Sequence, residues 1–258
     1  MNYRRNLLVP SAIVLSLAVT VLVLDRYGHN SRTFRSSGAI DAAQVEKRIV
    51  GTPGEAYACW KSRGLRGREA VFVADAWDRL DIDESPSIPM SRPYPLKPYD
   101  IARSFERNTV TQANLLFIAS LNGIVRSVVA VLSPAAYAER SAGVQGFRGK
   151  GPSGGMVFQP HQGFPRWFTT PTGFRGSREP VLLYVGASIF KSTGPDELFR
   201  KLKDTGLQSD CVLLCLMDGD PGVTAREREK LVEFARLAGV PPPGERTPHL
   251  STIPSASE

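Results

Sequence analysis

The chain has 258 residues, 42% of them hydrophobic and 22% charged, with a formal net charge of +7 and three cysteines. This composition excludes a wholly disordered chain and a disulfide-dense mini-domain, and it is ample for one sizeable core. The basic balance favours anionic surfaces such as lipid headgroups, acidic glycans or phosphate groups. Lys and Arg are spread along the sequence and match no groove-reading spacing, so nucleic acid is not an expected partner.

Residues 1–6 include Arg4 and Arg5, and residues 7–24 then run without a charge. Such a run of about 18 residues is near the minimum that crosses a hydrocarbon core as a helix. Basic residues on its amino side predict a short cytoplasmic N-terminus, a single-pass signal anchor in the cell inner membrane and a C-terminal domain outside the cytoplasm. The exit, Val21-Leu22-Val23-Leu24-Asp25-Arg26, lacks the small-residue site of a cleaved signal peptide. Residues 25–53 are polar and small and read as a stalk, with a short helix over 41–48 that Asp41 would cap. The extracytoplasmic domain is expected over 54–240, and a Pro-, Ser- and Thr-rich disordered tail over 241–258.

Within the domain, 55–62 predicts a short helix and 70–74 a core strand ending at Asp75-Ala76-Trp77-Asp78. Five prolines between Pro86 and Pro98 forbid regular structure through most of the next loop, where Tyr94 and Tyr99 are natural contact residues. Helical spacing returns over 99–107. The apolar runs 115–120 and 124–132 flank Asn122-Gly123, the turn signal of a largely buried β-hairpin. Ser133-Pro134 then opens a short helix.

The glycine-rich stretch 143–155 invites a phosphate-loop reading but fails its pattern, since Val144 and Gly151 stand where a glycine and a hydroxyl residue are needed. Arg148 and Lys150 are its candidate contacts for an anionic ligand. Short strands are expected over 156–158 and 166–170. Between them His161 is a candidate general base, but no second histidine stands near enough for zinc spacing.

Residues 180–239 predict strand, helix, strand, helix. The first helix opens at Gly194-Pro195 and ends at Gly206; the second opens on a Thr224–Glu227 capping box and ends at Gly239. Asp218 and Asp220 close the second strand, where α/β folds keep their sites. The apolar strand followed by Asp218-Gly219-Asp220 and a helix resembles, over about a dozen residues, the D-x-D segment of Toprim domains. That resemblance implies two aspartates holding magnesium for phosphoryl chemistry. Such domains also place a glutamate at an earlier strand end, where this chain has Gly186-Ala187-Ser188. No metal and no cofactor are therefore expected, and the aspartates read first as turn formers. A spatially assembled set such as Ser188, His161 and Asp218 stays open.

Cys211 and Cys215 lie four apart on one strand and are too distant to pair with each other. Cys59 is left either to bridge to one of them or to stay reduced beside them. The fold expected is thus α/β: a mixed sheet with one β-hairpin and a C-terminal β-α-β-α unit, preceded by a single N-terminal transmembrane helix. The function expected is that of a membrane-anchored binding or scaffold protein of a cell-envelope assembly. Its partner would be an envelope protein, or an anionic glycan or lipid headgroup. The alternative is an envelope hydrolase or transferase acting on an anionic substrate through Asp75, Asp78, Asp218, Asp220 or His161.

Overall fold

The structure, a computed structural model, describes residues 37–75, 110–112, 114–143, 148–149, 156–158 and 166–240. The expected anchor at 7–24, the helix at 99–107 and the tail lie outside these residues. Among the described residues no helix is long and apolar enough to cross a membrane.

In chain order the elements are β1 (Gly38–Ala39), β2 (Glu46–Val50), α1 (Pro53–Ser62), β3 (Arg68–Val73), α2 (Leu115–Leu121), β4 (Val125–Val131) and α3 (Pro134–Gly143). They continue with β5 (Arg148–Gly149), β6 (Met156–Phe158), β7 (Arg166–Thr169), β8 (Val181–Gly186), a 3-10 helix (Ala187–Lys191), α4 (Pro195–Asp204), β9 (Gln208–Cys215) and α5 (Ala225–Leu237). The strands form one mixed sheet in the order β1-β9-β8-β3-β4-β7-β6-β5, with β2 also pairing β9. Its centre is parallel throughout, β2, β9, β8, β3, β4 and β7 running the same way, and β1, β5 and β6 add antiparallel edges.

Central strands of a parallel sheet are covered on both faces, so they read as unbroken apolar runs. The runs in β8 and β9 do so, and every residue of β8 is buried. The right-handed rule for crossovers between parallel strands puts α1 and α2 over one face and α4 over the other, and α1 packs against α2 and α4 against α5. On the first face Trp60 of α1 meets Tyr184 of β8 edge-on at 6.4 Å, and Tyr184 stacks on Phe72 of β3 at 4.7 Å. Elsewhere Phe190, Phe199 and Phe234 join the 3-10 helix, α4 and α5.

The C-terminal β-α-β-α unit matches the expectation, with β8 and β9 parallel, Pro195 at the start of α4, and Gly206 and Gly239 at positive φ just past the helix ends. The hairpin at Asn122-Gly123 does not. Residues 115–121 are the helix α2, and Asn122-Gly123 is its C-terminal cap. Gly123 N–H donates to the Ser120 carbonyl at 2.9 Å and Ile124 N–H to that of Ala119 at 2.9 Å, with Gly123 at φ 65°. This is a Schellman motif, which needs the same left-handed glycine that a hairpin turn does. The antiparallel pairing comes instead from β5, β6 and β7.

A second correction concerns the stalk. The sheet reaches back to Gly38, and residues 46–50, of which 46–48 fell in the short helix expected after an Asp41 cap, form β2. Lys47 of β2 donates to the Ala238 carbonyl at 2.7 Å, fastening this edge to the end of α5. Below it, at the amino end of the sheet, Asp210 is the extra residue of a bulge in β9. Its carboxylate is fully buried and lies 2.8 Å from Arg68 Nε of β3 as an ion pair, and it also accepts from the Ser37 hydroxyl.

Candidate functional site

The chain leaves β3 toward β4 on one side and leaves β8 toward β9 on the other, while β3 and β8 are neighbours. Open α/β sheets form a crevice at such a divergence, outside the carboxyl ends of the strands. Asp75 stands there, two residues beyond β3. Its backbone N–H donates to Ser188 Oγ at 3.0 Å, and its Oδ1 accepts from the Ser133 N–H at 2.7 Å. One aspartate thus ties together the ends of β3, β8 and β4. Ser133 in turn accepts from the Ala136 N–H at 3.2 Å, capping the first turn of α3.

Burial raises the Asp75 carboxyl above the usual carboxylate range, against the opposing pull of its Ser133 hydrogen bonds and the Lys191 charge. Lys191 ends the 3-10 helix and is exposed. Its ammonium also helps, after the Thr224 hydrogen bonds, to lower the Glu227 carboxyl at the start of α5. A Cβ built on Gly222 would lie 3.9 Å from Lys191 Nζ and 3.1 Å from Asp220 Oδ1. Lys191 therefore stands on the rim between the end of β3 and the loop that leads into α5.

That loop is tightly built. Met217 is buried and adopts φ 58°, a left-handed conformation uncommon for a residue with a side chain. Arg228 of α5 holds it, donating from Nε to the Leu216 carbonyl at 3.1 Å and from a terminal nitrogen to that of Met217 at 3.2 Å. Gly186 at the end of β8 is closed in, since a Cβ there would come within 3.0 Å of both Ala74 Cβ and Met217 Sδ. The ends of β3, β8 and β9 are thereby locked into one layer.

Of the residues singled out from sequence, Asp75, Asp218 and Asp220 all lie on this rim, but with different partners. Asp218 faces β2: its N–H donates to the Gly51 carbonyl at 2.8 Å, and its half-exposed carboxylate lies 3.7 Å from Arg228 Nε. Asp220 closes its own turn, Oδ1 accepting from the Gly222 N–H at 2.8 Å. Among the described residues no group of three or more His, Cys, Asp or Glu side chains could hold a metal ion. Ser188 is placed against the Asp75 backbone rather than in a set with Asp218. Arg148 opens β5, opposite Val157. Asp78, His161, Tyr94, Tyr99 and Lys150 lie outside the described residues.

Ser133, Lys191 and Arg228 carry structural weight here that sequence reading missed. Ser133 was legible only as a helix start, and Ser188 only as a possible member of a set with His161 and Asp218, not as a partner of Asp75. Lys191 and Arg228 resemble any surface cation until the loops around them are placed. No family model, no curated protein and no solved structure matches the chain.

Proposed function

We propose that the chain is a membrane-anchored binding domain of the cell envelope, and that it holds its partner on the rim around Asp75 and Lys191. The observation that carries this reading is the double use of Asp75 at the divergence of β3 and β8. Its carboxylate and its N–H both serve to fix the rim, with Ser133 and Ser188 as partners. Such a rim is a rigid platform with an exposed cation at its edge, suited to an anionic group on an envelope protein, a glycan or a lipid headgroup. The uncharged run at 7–24 supports the membrane setting.

The raised carboxyl of Asp75 favours one alternative, a hydrolase or transferase in which this residue is a general acid toward an anionic substrate. Site-specific photo-crosslinking in membranes separates the readings from a wrong assignment of the face. A crosslinker at position 191 of the full-length protein is expected to capture a discrete partner, and one at Gln208, at the amino end of the sheet, is not. Equal capture from both positions refutes the rim. Capture that survives Asp75→Asn supports binding, whereas an adduct that accumulates only in that variant points to trapped substrate.

A further inference from the structure

We propose that Cys59 and Cys211 are a disulfide-forming pair that staples α1 to β9, with Cys215 left as the free thiol. All three cysteines are buried and unbridged in the structure. Cys59 lies on the buried face of α1, and α1 packs against β9, the strand that carries Cys211.

The framework around them supports the pairing. Cys211 is the register partner of Glu46 in the parallel β2–β9 pair, so the two side chains emerge on the same face. Arg63, one helical turn beyond Cys59, makes a 2.5 Å ion pair with Glu46. Helix α1 packs on both β2 and β9, and with Arg63 reaching Glu46 its buried face, which carries Cys59, covers the side of the strand pair on which Cys211 emerges. Cys215 is excluded as a partner of Cys211, since four residues of strand separate their Cα atoms by about 13 Å, beyond the reach of a disulfide. Its thiol points instead to the Gly51 carbonyl, 3.7 Å away, and burial pushes it up to about 11.

The pair is oxidised by thiol–disulfide exchange: one of its thiols, taken as Cys59, loses its proton and attacks an external disulfide, either a dithiol oxidase of the compartment or a small disulfide such as oxidised glutathione. Attack forms a mixed disulfide and expels one oxidant thiol. Cys211, losing its proton, then displaces the second oxidant thiol and closes the Cys59–Cys211 bond. Two protein thiols are oxidised and one oxidant disulfide is reduced to two thiols.

The test uses the full-length protein in membranes, equilibrated with glutathione buffers of graded poise, then denatured and labelled with a maleimide that shifts its gel mobility. One label per chain is expected on the oxidised protein and three after reduction. Cys215→Ser should give none when oxidised. Cys59→Ser and Cys211→Ser should each give two at every poise. Peptide mapping of the oxidised wild type, which depends on no variant folding, should yield a cross-linked peptide joining the segments that contain Cys59 and Cys211. Three labels at every poise, or a cross-link that uses Cys215, overturns the assignment.

Discussion

Asp75 carries the most informative ionisation in the domain, and its sign can be tested. A carboxyl raised by folding holds its proton to higher pH in the native state than in the unfolded chain. The native state thus binds more protons between the two pKa values, and this residue's contribution to stability falls as pH rises through that window. Glu227 and Asp41 are lowered and act oppositely, losing stability as pH falls through their native values. Asp75→Asn keeps an acceptor for the Ser133 N–H and removes only the titration. Relative to this variant, the wild type should lose denaturant stability between acid and neutral pH; parallel profiles would remove the burial argument. A second residue-scale expectation concerns Arg68, whose loss leaves the buried Asp210 charge with the Ser37 hydroxyl but no cation. Arg68→Met should cost about 3–5 kcal/mol in equilibrium unfolding, because a buried charge without its counter-ion is expensive. At this scale the sequence made Asp75, Asp218 and Asp220 visible because acids at strand ends stand out. It hid the pairing of Ser133 and Ser188 with Asp75, because they meet it from 58 and 113 residues away.

Among the elements, the long apolar runs of β3, β8 and β9 were readable because burial on both faces leaves no room for polar alternation. Residues 115–121 were not. A short apolar run fits a buried strand or a buried helix equally, and Asn-Gly is compatible with the end of either. What decides for α2 is position: it bridges β3 and β4, and a parallel pair needs a crossover where an antiparallel pair needs only a turn. Strand β2 was hidden for the opposite reason. Its charged Glu46-Lys47-Arg48 start looks like surface helix, and only pairing with β9 makes it a strand. The Schellman cap gives a direct check. A Cβ on Gly123 would meet nothing within 4 Å, so Gly123→Ala changes backbone energy alone. It should cost about 1–2 kcal/mol, the penalty of a left-handed conformation for a residue with a side chain, read from the shift in denaturation midpoint.

Across the whole molecule, every strand of the described sheet lies downstream of residue 36. A protein lacking residues 1–36 should therefore keep the far-ultraviolet circular dichroism of the sheet domain and leave the membrane fraction. The full-length protein should require detergent for extraction. Recovery of the intact chain in aqueous buffer would refute the anchor. The pairing of β2 with β9 has a further consequence, in time rather than space. The strand made first among the parallel set finds its neighbour only in the last strand to be made, so it closes the largest loop of any parallel pair and waits longest among them for a contact that rewards it. The edge nearest the N-terminus should thus be the final piece to gain hydrogen-exchange protection during refolding, after β3, β4 and β8 have assembled.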